Sequence, residues 1–455
     1  MNFLYAPFES AQSLWTSAQS QAWGPLVGLS RTACTSVFKK IEHGRLAIYE
    51  GGAKSCTMCG NEKDGYPTVI LRVKDDKFWV RLALLADMGF AESYMLGEVY
   101  CPSLTAFFTL FIANKAALAN GSTLTSSLST TLTALARRSN SLKNARLNIS
   151  AHYDISNDMF AAFLSPDMTY SCPIWLPKTD SRSGSESLED AQHRKLQRFI
   201  NNAHIKSTDR VLEIGTGWGS FAIQAVQRTG CSVTTITLSA EQKELAERRI
   251  AALNLSHKIT VLIVDYRDLP IPAEGPYDKI VSIEMLEAVG REFLSVYFNV
   301  IDKLLKKEGG VAVFQCITIP EARYEAYARS DDFIRKYIFP GGHLPSITQL
   351  VSSIAAGSNN SLIVESVENI GPHYAKALRL WREEFDARFD SEIKEALWRD
   401  HTKAGRDEEA AEVFRRKWEY YFCYSEAGFR SKTLGDVIVT VGREGAVEMM
   451  EGVPL

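Results

Sequence analysis

The chain has 455 residues, 45% of them hydrophobic and 23% charged, an ordinary globular composition with enough length for two or three packed units. Its net charge of -3 creates no overall field toward nucleic acid, so DNA or RNA is not an expected partner. No apolar run reaches the roughly 20 residues of a spanning helix, the strongest being FFTLFIA at Phe107–Ala113, and the chain is read as not transmembrane.

Taken in chain order, the residues before Arg31 include no Lys or Arg. That argues against a basic signal peptide or an Arg-rich transit peptide and predicts a cytoplasmic protein. Residues 1–150 read as one accessory domain, mainly helical, with an amphipathic stretch at Asp76–Val99 and a Ser/Thr-rich patch at Ser122–Thr133. The eight cysteines are scattered through the chain, which predicts reduced thiols. Cys56 and Cys59 make a lone C-x-x-C, read as a turn rather than half of a zinc site, and no metal is expected. Residues 134–150 carry Arg137, Arg138, Lys143 and Arg146 without an acid. They suit an anionic lipid headgroup or a solvated linker equally well.

From residue 151 to 455 the pattern changes to a catalytic domain. A polar, serine-rich segment at 179–190 reads as a mobile loop. Beyond it short apolar runs alternate with helical periods: VLEIG, SVTTITL, ITVLIV, KIVSIE and GVAVFQCITI are separated by helices from Ser220, from Ala240 and over Arg291–Lys307. This is the signature of an α/β fold with a mostly parallel sheet covered on both faces. Residues 320–375 read as an insertion over the site. Helices follow at Leu378–Asp400 and Asp407–Phe422, and a last strand at Val437–Val441. Phe414, Trp418, Tyr421 and Phe422 fall at helical spacing and predict a core face.

The chemistry is concentrated in a few short motifs. Gly215, Gly217 and Gly219 form G-x-G-x-G directly after a strand, where the backbone turns sharply and comes close to a ligand. The second strand ends in Thr237-Leu238-Ser239 with no acid for a ribose, so NAD fits poorly. Glu213, two residues before Gly215, is placed to accept from a ligand amine or to order the loop. Ser239 and Gln242 are spaced as a capping box for the next helix. Asp265 and Tyr266 follow the third strand, where an acid can meet an adenine amine and a ring can stack on the base. Upstream, Tyr170, Ser171 and Cys172 bring hydroxyls and a thiol.

These motifs resemble the cyclopropane fatty acid synthases, the S-adenosylmethionine (SAM)-dependent methyltransferases that act on lipid double bonds. The resemblance runs from about Asp87 to Val441 through DMGFAESYMLGEV, HYDISNDMF, TYSCPIW, VLEIGTGWG, ITLSAEQ, DYRDLP, EMLEAVG, DFIRKYIFPGGHLPS, ENIGPHY and WEYYF. The wording of EMLEAVG and VFQCITIPEARY is similar to the plant and fungal branch. It implies a class I, Rossmann-like fold with a seven-stranded sheet, and contacts to SAM from Tyr170, Ser171, Gly215, Gly217, Thr237, Gln242, Asp265 and Tyr266. It further implies a bicarbonate ion held by Cys172, Glu287, Gln315, the backbone of Ile317, and Tyr374. That ion would take the proton whose loss closes a three-membered ring. Glu287 would accept from the bicarbonate hydroxyl or be protonated itself. Bacterial relatives carry histidine at the positions of Gln315 and Ala288, and a cysteine where this chain has Ser425. A nucleophilic cysteine there is excluded, and Cys172 is read as an ion-site ligand.

The implied function is addition of a methylene group across a cis double bond of an unsaturated phospholipid by a peripheral membrane enzyme. The alternatives are a C-methyltransferase making a methyl-branched lipid or secondary metabolite, and a catalytically silent lipid-binding protein. A homodimer is left open.

Overall fold

The computed structural model describes residues 24–51, 56–62, 65–66, 68–119, 156–330, 332–400 and 406–454. The Ser/Thr-rich patch, the basic segment 134–150 and residues 151–155 lie outside the described residues. The chain divides into two compact units, one of residues 1–153 with 406–424, the other of 154–405 with 425–455.

The first unit contains a helix over 24–38 and the helices α1 (Lys77–Met95) and α2 (Leu104–Ala113), as the helical expectation requires. It also contains a sheet that the sequence reading did not foresee. Strands β1 (Gly44–Glu50), β2 (Cys56–Asn61), β3 (Thr68–Val73) and β4 (Val99–Tyr100) are ordered β2-β1-β3-β4. Each is too short for a period-2 signal to stand out from flanking polar residues. Cys56 and Cys59 therefore lie on a strand, not in a turn, and all eight cysteines are free thiols. Helix α1 is broken at Ala86 (φ 51°, ψ -123°). The core of this unit is aromatic: Phe90 stacks on Phe107 at 4.3 Å, and Phe108 meets Tyr420 edge-on at 5.0 Å.

In the second unit, α3 (Asn157–Phe163) and α4 (Leu188–Asn202) precede the sheet. The polar segment at 179–190 is a series of turns that ends earlier than expected. Ser187 and Asp190 form a reciprocal capping box, so helix begins at Leu188. The parallel strands are β5 (Arg210–Ile214), β6 (Ser232–Thr237), β7 (Ile259–Ile263), β8 (Lys279–Ile283) and β9 (Val311–Thr318), with α5 (Ser220–Thr229), α6 (Ala240–Ala252) and α7 (Leu294–Leu304) between them. Then come α8 (Glu321–Arg329), α9 (Ile347–Gly357), β10 (Ile363–Asn369), α10 (Tyr374–Arg388) and β11 (Gly435–Gly442), while α11 (Glu408–Arg430) belongs to the first unit as far as residue 424.

The sheet order is β10-β11-β9-β8-β5-β6-β7, with β11 antiparallel to both neighbours. Seven strands match the expected fold class, but β10 lies inside the segment read as an insertion. Its sequence IVESVEN has an exposed edge and two acids, so it lacks the continuous apolar run that marks the central strands. Phe414, Trp418, Tyr421 and Phe422 are buried as predicted. Among the described residues, no helix is long and apolar enough to cross a membrane.

The register fixes the site. Ile283 of β8 pairs with Gln315 of β9, and Ile317 of β9 pairs with Asp436 of β11. The polar side chains that follow β8 thus meet those of β9 and β11 at the carboxyl end of the parallel strands, where α/β sheets bind ligands. At the opposite end, Arg443 just past β11 is buried and bonds Asp302 of α7 at 2.7 Å and Ser361 at 2.7 Å. Burial pushes the Asp302 carboxyl up, but hydrogen bonds from Ser361, Lys307 and Arg443 outweigh it and hold the group at about 2. A carboxyl held low in the folded state stabilises above its unfolded value near 4 and loses that contribution as pH falls toward 2. Asp302→Asn is expected to lower unfolding free energy by ~2 kcal/mol at pH 7, with the gap from wild type closing between pH 4 and pH 2 in urea melts.

Candidate active site

At the end of β5 the chain reverses through Gly215 (φ 101°), Gly217 (φ 50°) and Gly219 (φ 87°) into α5. All three lie in the left-handed region that side chains disfavour. A Cβ on Gly215 would stand 3.5 Å from the Cβ of Met285, so the loop packs directly against the segment that follows β8. Glu213 is buried, and its Oε2 has no hydrogen-bond partner among the described residues. Burial, only partly offset by Thr235 and Lys195, pushes its carboxyl up to about 8.

The remaining residues expected around SAM are distributed along the same edge. Thr237 donates to Gln242 Oε1 at 2.8 Å, while Ser239 accepts from the Gln242 N–H at 3.1 Å. The capping box is therefore half formed, because the Gln242 side chain turns to the strand end. Asp265 is held by Arg267 (2.6 Å to Nη2), which lies over the Tyr266 ring, so an adenine amine would share that carboxylate with a guanidinium. The Tyr170 ring packs between Phe160 and Trp381, each at 5.1 Å. Ser171 is buried and accepts from Lys195 Nζ at 2.6 Å. The left-handed glycines, the unsatisfied Glu213 oxygen and the flanking hydroxyls form a cradle suited to SAM.

Behind the cradle lies the set expected around bicarbonate, and the structure brings all of it together. The Cys172 N–H donates to Glu284 Oε1 at 2.7 Å, Gln315 Nε2 to the same oxygen at 2.6 Å, and the Tyr374 hydroxyl to Glu284 Oε2 at 2.7 Å. Gln315 Nε2 also donates to Asp436 Oδ2 at 2.8 Å. The Ile317 N–H donates to Glu287 Oε1 at 2.6 Å. Cys172 takes part through its backbone. Its thiol is fully buried, and burial, reinforced by the neighbouring Asp436 and Glu284 carboxyls, pushes it well above the usual range, so it is no thiolate.

Glu284, Asp436 and Lys195 are central here and were missed in the sequence. Glu284 stands three residues before Glu287, and Asp436 is a single acid in the apolar strand GDVIVTVG; each was visible as a charge at a strand end. The three carboxyls share one buried pocket. Burial, then the Glu284 charge, raises Glu287 to about 8, and burial with the Glu284 charge holds Asp436 well above the carboxylate range. Both are neutral acids at pH 7. Glu284 is raised by burial too, but the Cys172 N–H, the Tyr374 hydroxyl, the Asp436 proton and the Lys195 charge all favour its ionised form. The negative charge therefore rests on Glu284.

Bicarbonate does not fit this arrangement. The Cys172, Gln315 and Tyr374 donors that would hold it are committed to Glu284 and the Ile317 N–H to Glu287, so a bound anion would find these hydrogen bonds already taken. A second anion 4 Å from Glu284 would meet a repulsion of about 4 kcal/mol at an effective dielectric of 20.

A family model for mycolic acid cyclopropane synthetase matches residues 140–438. The chain belongs to this family. Tuberculostearic acid methyltransferase UfaA1 of Mycobacterium tuberculosis is 36% identical to this family member, covering 95% of the present chain and 96% of its own. Cyclopropane-fatty-acyl-phospholipid synthase of Escherichia coli K12 is 33% identical, covering 83% and 90%. Among solved structures, mycolic acid cyclopropane synthase CmaA1 complexed with SAH and CTAB superposes with a TM-score of 0.53 at 28% identity, covering 66% of this chain and 98% of its own. This cyclopropane synthetase relative is a SAM-dependent methyltransferase with the class I fold.

Among the described residues Lys195 is the cation facing Glu284 and Asp436; burial lowers its pKa while Glu284, Asp167, Cys172 and Asp436 oppose the fall. Lys195→Met is expected to cost about 3 kcal/mol in urea unfolding at pH 7, because it strands a buried charge. The loss should shrink as the pH is lowered and Glu284, whose pKa burial raises, takes up a proton.

Proposed function

We propose that the protein transfers a one-carbon unit from SAM to a cis double bond of an unsaturated phospholipid and closes a cyclopropane ring. The observation that carries this reading is the position of the Glu284 carboxyl, which accepts from the Cys172 N–H, Gln315 Nε2 and the Tyr374 hydroxyl, next to Met285, against which the glycine cradle packs. The family and the Escherichia coli relative, a cyclopropane-fatty-acyl-phospholipid synthase, supply the substrate class. A methyl transfer to oxygen or nitrogen needs no base aimed at carbon, whereas methylation of an alkene leaves a cation that must shed a proton.

In this reading SAM, when bound, supplies an electrophilic methyl on a sulfonium. Gly215, Gly217 and Gly219 let the backbone approach it, with Glu213, Thr237, Gln242, Asp265 and Tyr266 along the strand ends and Tyr170 and Ser171 across from them. Water exclusion falls to the aromatic wall of Phe160, Phe163, Tyr170, Trp381 and Tyr374, whose neighbouring rings lie 5.1 to 5.8 Å apart. The π-faces of such a wall also stabilise a developing cation. Contact with a membrane surface is supported by exposed apolar residues on adjoining elements, Phe293 and Val296 at α7 and Ile347 on α9.

A second reading, a methyl-branched product, is favoured by the 36% identity to UfaA1 over nearly the whole chain. Methyl-labelled SAM and vesicles of mixed cis-unsaturated phospholipids distinguish the outcomes. Label is expected in the lipid, with a gain of one CH₂, loss of the double bond and upfield ring protons by NMR. Label with a retained double bond would move the assignment to the branched product, and no label in any lipid would overturn both.

A further inference from the structure

Resting on the lipid-methylation reading, we propose that Glu284 is the proton acceptor of the reaction, its carboxylate standing where the family resemblance places bicarbonate. Every donor of the implied anion site other than the Ile317 N–H ends on this one side chain: Cys172 N–H, Gln315 Nε2 and Tyr374 Oη, at 2.6 to 2.7 Å. The Ile317 N–H ends on Glu287. The residues that present the donors from behind, Cys172, Gln315, Asp436 and Tyr374, are buried, whereas Ile283, Glu284, Met285 and Glu287 keep partial exposure. Glu284 thus stands at the boundary between the packed interior and the segment that packs on the glycine cradle, with its carboxyl group buried in the donor set.

The backbone supports the same assignment. Glu284 has φ 48°, a left-handed conformation that favours glycine and is rare for a side-chain-bearing residue. Its N–H still donates to the Gln315 carbonyl at 3.0 Å, which continues the β8–β9 ladder by one residue before the chain turns. The turn, not strand alternation, delivers the carboxylate into the donor set.

The step balances without a co-reactant beyond SAM and the lipid. The alkene π pair forms the new C–C bond as the S–CH₃ bond breaks and its pair stays on sulfur, leaving the cation on the neighbouring lipid carbon. One C–H bond of the added methyl then breaks. Its proton goes to a Glu284 oxygen and its electron pair closes the ring onto the cation. The electron pair of that C–H bond is drawn to the cation across the intervening carbon, so a weak base stabilised by three hydrogen bonds is sufficient, provided that it is ionised and in place. The proton passes to solvent before the next turnover.

Three proteins test this: wild type, Glu284→Gln and Glu284→Gly. Glycine suits the φ of 48° and vacates the anion site, while SAM binding by calorimetry reports that each variant is folded. In carbon-13 NMR titrations with labelled bicarbonate, wild type is expected not to bind and Glu284→Gly to bind. In carbon dioxide-depleted buffer, wild-type turnover should be unchanged on adding bicarbonate. Glu284→Gln should lose at least about a hundredfold, and Glu284→Gly should lose as much and recover about tenfold with bicarbonate or formate. Bicarbonate binding by wild type, a tenfold fall of its turnover on depletion, or near-normal turnover of Glu284→Gln would each overturn the assignment. The binding arm is independent of substrate. A wild-type protein that labels no lipid while that arm comes out as expected counts against the lipid reading and leaves the anion-site assignment standing.

Discussion

The second unit depends on one constraint: a negative charge buried at Glu284 has to be satisfied, and groups from distant parts of the chain are spent on satisfying it. Cys172 reaches it from the segment before α4, Gln315 from β9, Tyr374 from the first turn of α10, and Asp436 shares a proton with it from β11. Lys195 of α4 adds the compensating positive charge. An isolated carboxylate in such a place would simply take up a proton. Here the hydrogen bonds and the cation keep Glu284 ionised and drive its neighbours Asp436 and Glu287 to the neutral form, so one pocket contains two kinds of carboxyl.

The same constraint explains the unusual polarity of the strands. Gln315 and Asp436 are fully buried in strands made mostly of Val, Ile and other apolar residues. On packing grounds alone both would be poor choices, since each keeps one oxygen unpartnered. Their cost makes sense when they are seen as supports of the charge rather than members of the core. The core proper, built on Leu212, Ile280, Phe298, Phe314 and Val439, lies within the same sheet and its covering helices.

Much of this was legible from the amino acids. The glycine loop, the alternation of strands and helices, and the convergence of Cys172, Glu287, Gln315, Ile317 and Tyr374 could be anticipated, since short motifs preserve chemistry even where the segments are far apart. Glu284 could not be placed, because the direction of its side chain is set by a left-handed turn that no pattern of hydrophobicity encodes. Asp436 was hidden for another reason: its position opposite Ile317 is a matter of register between strands more than a hundred residues apart. Strand β10 escaped because an exposed edge carrying Glu365 and Glu368 does not look like part of a buried sheet.

The placement of β11 has a consequence for how the molecule is made. It is the last strand in sequence among the described residues, yet it threads between β9 and β10 rather than lying on the outside. A ribosome must therefore release the chain through Gly442 before the gap can be filled, and until then two strand flanks stay unpaired and open to wrong partners. Asp436 arrives with that closing strand, so the nascent chain has no complete acid pocket until the fold is finished.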